Sequence, residues 1–286
     1  MATTDALSVI DRQAAPTRAV ESGTESIMWG PALGGSSMLT VYRRTVDRGK
    51  QLRLQSATDY QLLYIARVSG IGAVLFGTES NVAEPGAGVL LSPGEVAQFD
   101  ASGGELELLH LVVPKPPAAI EGDLPGGPGY FFNRKTLRAL TDASGGRIRR
   151  FCAESSVRRR DGQRLTPTNA IQAGEMHYRA GGGSPYHVHA GTNANPMGAA
   201  HCYITLEGRG SIEVDNESLP VEADALVYIP TGVPHRFRAE GGPLDYFEIQ
   251  AWRSFKTTVL SEEPLGLKWF YERESPADAL VEWNQS

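Results

Sequence analysis

The stretch that most constrains the fold runs from Ser184 to Phe237 and holds four of the chain's six histidines: His187, His189, His201 and His235. His187 and His189 stand two apart in Ser-Pro-Tyr-His-Val-His-Ala-Gly. On a β-strand, side chains two apart share a face, so both imidazoles can converge on one ion. His201 opens the run His-Cys-Tyr-Ile-Thr-Leu-Glu, which ends at the turn Gly208-Arg209-Gly210. His235 follows the turn Pro230-Thr231-Gly232-Val233-Pro234. Histidines gathered from several strands at one end of a barrel suit a divalent transition metal. A single strand histidine is more often a satisfied polar residue than a ligand. Four at these spacings are hard to reconcile with core packing, because a buried imidazole without a partner costs free energy. The position of His201 permits ligation without demanding it.

Together these residues resemble the cupin superfamily. In its first motif, a glycine precedes a His-x-His pair, a glutamate follows, and a second glycine closes the motif. Here Gly181 stands six before His187, His187 and His189 form the pair, and Gly208 closes it. His201 occupies the place of the usual glutamate, and the segment between His189 and His201 is longer than the family norm. Both are departures. The second motif is matched by Pro230, Gly232 and His235, with Asp224 in place of its first glycine. The joint match over about fifty residues is specific where His-x-His alone is weak.

An earlier stretch lays onto this one. Tyr60 to Gly72 is an apolar strand closing on a Gly-x-Gly turn, as is Ala200 to Gly210. Gly88 to Phe99 lays onto Ala225 to Phe237, with Gly94 on Gly232, Ala97 on His235 and Phe99 on Phe237. Leu63 falls on His201, and no His-x-His precedes it. The first half therefore resembles a second cupin repeat without metal ligands. The expected fold is all-β: two cupin barrels (double-stranded β-helix, jelly-roll) in one chain. The expected divisions are an N-terminal arm at 1–35, a degenerate barrel at 36–115 and a Pro/Gly-rich connector with a short helix at 116–164. A metal-binding barrel at 165–260 and a tail at 261–286 follow. Helical spacing of Leu137 and Leu140 places the short helix at Arg134–Thr141. Met28-Trp29-Gly30-Pro31 is the expected anchor of an otherwise loose arm.

Composition narrows the function classes. The 286 residues carry a formal net charge of −6, which argues against a partner bound through nucleic-acid phosphates. No run reaches the ~20 apolar residues of a membrane span. Met1 to Glu21 lacks the apolar core of a secretory signal. Two cysteines, Cys152 and Cys202, argue against a disulfide framework and point to a reducing cytoplasm. Strand parity turns Cys202 away from His201 and Tyr203. The Arg147-Arg149-Arg150 and Arg158-Arg159-Arg160 runs read as solvated strand edges and turns. His110 reads as a packed core histidine, and His177 as structural or near the site. The aromatic tail Leu265 to Tyr271 is a candidate to pack on the other repeat or on a partner subunit.

The resemblance implies one divalent transition metal per chain, in the C-terminal repeat only, held by His187, His189, His201 and His235. Imidazole suits Fe, Ni, Cu and Zn, and Fe(II) is the expected ion, with Ni, Zn, Cu or Mn as alternatives. Cupins of this kind resemble the three- and four-histidine dioxygenases, so the expected partners are a small oxygenated substrate and O2. A homo-oligomer, dimer or tetramer, is also expected. Strand parity turns Tyr203 and Glu248 inward as catalytic candidates, and Gln250 and Trp252 as substrate-binding ones. Two rival readings stand beside this one. The metal can serve as a Lewis acid in a lyase, isomerase or decarboxylase, or the protein can be a non-catalytic small-ligand binder.

Overall fold

The computed structural model describes residues 8–10, 15–121, 127–137, 140–141, 147–152, 168–193, 195–214, 217–252, 255–260, 268–271 and 281–282. Among these, strands dominate. One α-helical turn occurs at Ala118–Glu121 and one 3-10 turn at Pro31–Leu33. No described helix is long and apolar enough to cross a membrane. The chain divides into two compact units. One comprises 12–116 with 125–136; the other comprises 1–11, 117–124 and 137–286.

The first unit is a barrel of two antiparallel sheets. The larger runs in the order Tyr130–Asn133, Ala87–Leu91, Asp59–Ser69, Glu105–Pro114, Thr40–Val46, Gly23–Trp29, Thr17–Val20. The smaller runs Gln51–Gln55, Val96–Asp100, Ala73–Phe76, Glu79–Val82. Asp59–Ser69 is buried on both faces from Tyr60 to Ile65, as a central strand covered on both sides must be. Leu63, Ile65, Val89, Ala97, Phe99 and Leu108 meet in the interior. Leu63 and Ala97 thus stand in apolar packing, as their place in the repeat implies.

The second unit is also antiparallel. Ala200–Val214 and His235–Ala251 are its long central strands, paired to each other along most of their length. Ile171–Tyr178 pairs with the second half of His235–Ala251, and Leu226–Ile229 with the start of Ala200–Val214. His187–Gly191 pairs with Phe255–Val259 and touches His235–Ala251 at His187↔His235. Met176, Tyr178, Tyr203, Val227, Ile229, Phe237, Leu244 and Tyr246 fill the interior. The same turn geometry closes both units: Gly94 and Gly232 have φ of +91° and +86°, a left-handed conformation that favours glycine. This matched pair supports laying one repeat on the other.

Three boundaries differ from the sequence expectation. The arm is built in: Thr17–Val20 and Gly23–Trp29 form a hairpin on the edge of the first barrel, with Met28 and Trp29 buried. Ser8–Ile10 pairs with Leu226–Ile229 and belongs to the second unit. The connector is divided, since its Tyr130–Asn133 pairs with Ala87–Leu91. Arg134–Thr136 forms a turn closed by Thr136 N–H donating to the Asn133 carbonyl, and Leu140–Thr141 is strand, so no helix spans Arg134–Thr141. Cross-strand pairing outweighs the weak helical spacing of two leucines. The connector's helical turn lies at Ala118–Glu121 instead, where Glu121 accepts from Thr168 Oγ1 at 2.6 Å. Arg158, Arg159 and Arg160 lie outside the described residues, as does most of the tail.

Candidate metal centre

The alternation of His187–Gly191 turns His187 and His189 to one face, and the register sets His187 opposite His235. One ring nitrogen from each of His187, His189 and His235 falls within a cluster whose members all lie within 4.8 Å of one another. Ring centroids are 4.8 Å apart for His187 and His189, 4.3 Å for His187 and His235, and 5.3 Å for His189 and His235. The other ring nitrogen of each is tied down. His187 Nδ1 donates to the Pro185 carbonyl at 2.7 Å, and His235 Nδ1 to the Val233 carbonyl at 2.9 Å. His189 Nδ1 lies 2.9 Å from Thr257 Oγ1, its neighbour in register. A carbonyl only accepts, so it holds the proton on Nδ1 and leaves the lone pair on Nε2. A metal-binding histidine needs its other ring nitrogen held in this way, so that the ring is oriented and its tautomer fixed.

The charge state agrees. Burial lowers the His187 pKa to about 4, assisted by repulsion from His201 and opposed by the Pro185 carbonyl and Glu248. Burial, then His187 and His201, push His235 well below the usual imidazole range. Both rings are neutral near pH 7, which a ligand must be. The donors therefore fit a borderline divalent ion, with no carboxylate among the three.

His201 stands beside this group rather than in it. Its ring centroid is 4.6 Å from that of His189 and 5.8 Å from that of His235. Its Nε2 lies 3.1 Å from Glu248 Oε1, and Gln250 Nε2 donates to the same oxygen at 3.0 Å. An imidazole that donates from Nε2 carries its lone pair on Nδ1, and that buried atom has no hydrogen-bond partner among the described residues. Tyr203 packs on the His201 ring at 4.4 Å, and its hydroxyl lies 3.4 Å from His235 Nε2. The register explains the grouping, because Tyr203 lies opposite Glu248 and His201 opposite Gln250.

Trp252 is placed differently. It lies beyond the end of His235–Ala251 with φ of +56°, so strand alternation does not carry it to the face of Glu248 and Gln250. Its carbonyl accepts from Asn195 Nδ2 at 2.9 Å, which pins the long segment between His189 and His201. Cys202 is buried on the opposite face from His201, where burial pushes its thiol well above the usual range. His177 pairs with Asp245 across the strands, on the face away from Met176 and Tyr178. One interior residue escaped the sequence reading: Gln172, next to Gln250 in register. Its parity with the inward Met176 could have flagged it.

Residues 174–250 match the family model of the cupin domain. That segment of the chain is a cupin domain. The bicupin fold extends over nearly the whole length of the chain. A glyoxylate-induced protein of Pseudomonas aeruginosa, itself named putative, superposes with a TM-score of 0.69 at 14% identity, covering 91% of this chain and 93% of that one. Oxalate decarboxylase of Lactobacillus farciminis, as its formate complex, gives 0.66 at 14% identity over 91% and 90%. Procruciferin, an 11S globulin of Brassica napus, gives 0.65 at 12% over 90% and 87%. No curated protein sequence matches the chain. A decarboxylase and a globulin share this bicupin's architecture, so activity must be argued from the site.

Proposed function

We propose that this bicupin is a metal-dependent enzyme, a non-haem Fe(II) dioxygenase acting on a small oxygenated substrate. The observation that carries the reading is the donor set: ring nitrogens of His187, His189 and His235 converge, and the carbonyl-bound His187 and His235 are neutral near pH 7 with Nε2 as the lone-pair nitrogen. Three imidazole ligands carry no charge of their own and would leave the 2+ charge of a bound ion undiminished. His187, His189 and His235 would hold a ferrous ion, which would supply the electrons and the template for joining a chelating substrate to O2.

The chain's own residues do the rest. The Tyr203 hydroxyl, at the edge of the three-histidine group, donates a hydrogen bond to a substrate oxygen. Glu248, held by His201 and Gln250, accepts a proton from a substrate hydroxyl. His201 acts in this reading as the partner of Glu248. His187, His201, Glu248 and Gln250 are all buried, which keeps bulk water from the reacting groups.

The test is anaerobic reconstitution with Fe(II), followed by oxygen-electrode measurements on diketones, hydroxyketones and dihydroxyaromatics. Iron-dependent O2 uptake, lost in His187→Ala, is the expected result. The Glu248–His201–Gln250 cluster favours a second reading, because a buried base beside the three histidines also suits a metal-dependent lyase or decarboxylase. Turnover without O2 uptake selects it.

A further inference from the structure

Gln172 lies in Ile171–Tyr178, on the inward face that also carries Met176 and Tyr178. Its neighbour in register is Gln250, whose neighbour on the other side is His201. The three make a row across adjacent strands on the inner wall of the C-terminal barrel. Gln172 is 1% exposed, yet neither Oε1 nor Nε2 has a hydrogen-bond partner among the described residues. Buried carboxamides are seldom left in that state, because desolvation without compensation is costly. Leucine or methionine would fill the position without that cost. The other buried glutamines differ: Gln250 donates to Glu248, and Gln61 bonds His110 at 2.8 Å. Gly174, two residues on, adds no side chain to the wall opposite Glu248.

We propose that Gln172 determines substrate specificity, reading the end of the substrate remote from the ion. A carboxamide donates from Nε2 and accepts at Oε1. The complementary group is a hydroxyl beside a carbonyl or carboxylate oxygen. The substrate is therefore bifunctional, with one oxygenated end at the three histidines and a hydroxy-carbonyl end at Gln172. Leaving the amide unpaired until substrate arrives is a stability cost exchanged for recognition. The inference rests on the ion-binding reading for its geometry.

The experiment uses the full chain loaded with Zn(II), and wild type is compared with Gln172→Leu and Gln172→Met. Calorimetry measures binding of tartrate, which has a hydroxy acid at each end, against glycolate, which has one. Wild type binds tartrate more tightly than glycolate, and both variants lose about tenfold of that preference with glycolate unchanged. The metal-free variants also melt about 2–4 °C higher than wild type, since an unpaired buried amide has been removed. Lower melting temperatures in both variants, or an undiminished preference for tartrate, overturn the proposal. A wild type that takes up no metal defeats the ion-binding reading instead, and the melting comparison then decides the case for Gln172.

Discussion

The two barrels bury polar side chains at comparable places, and they differ in whether those side chains are satisfied. With Leu63 laid on His201, His110 takes the place of Gln250, since each lies directly opposite in register. In the first barrel the set closes on itself. His110 Nε2 donates to Gln61 Oε1 at 2.8 Å, and His110 Nδ1 accepts from Arg44 Nε at 2.9 Å. Arg44 is in turn paired with Glu25, which also accepts from Arg18 Nε at 2.9 Å. In the second barrel ring nitrogens of three histidines converge, and among the described residues His201 Nδ1 and the Gln172 carboxamide have no hydrogen-bond partner. A buried polar cluster is thus not by itself a site; one whose hydrogen-bonding capacity is left over is the candidate.

Predictions that test this contrast follow from its largest consequence. Freshly purified protein should carry one equivalent of metal per chain, and His187→Ala/His189→Ala should carry none, by elemental analysis. A second equivalent, or metal retained in the double variant, would break the distinction between open and closed barrels.

Acid should weaken the metal-free protein through its neutral histidines. His187 has a folded pKa of about 4 against an ordinary 6.5. The unfolded chain therefore takes up a proton that the folded chain refuses, and stability falls as pH drops from about 6.5 towards 4. The loss from His187 is about 3 kcal/mol over that window. Denaturant midpoints at pH 7 and pH 4.5 measure it, and His187→Gln should flatten the dependence.

Breaking the closed set should cost stability and nothing else. His110→Ala leaves Gln61 and one face of Arg44 without their bonds, a loss of about 2 kcal/mol in urea unfolding. Metal stoichiometry should stay at wild type; a fall would link His110 to the ion. The smallest effect is expected at His201→Ala. As partner of Glu248 it should leave one equivalent of metal bound, with affinity about tenfold weaker by chelator competition. Complete loss of metal would instead make it a fourth ligand.

The His-x-His alternation, the positive-φ glycine turns and the apolar Leu63 and Ala97 were legible because they depend on neighbours close along the chain. Two-residue parity turns His187 and His189 to one face whatever they meet there. Only tertiary structure decided that His201 turns its Nε2 to Glu248, 47 residues away in sequence, and that Trp252 leaves the strand before parity can place it. The built-in arm belongs here too, since Gly23–Trp29 becomes a strand by pairing with Thr40–Val46. Glutamine reads alike in sequence at positions 61, 172 and 250. Register and burial leave Gln172 alone of the three without a bond among the described residues, because a hydrogen bond needs a partner within about 3 Å and sequence spacing does not bring one across a sheet.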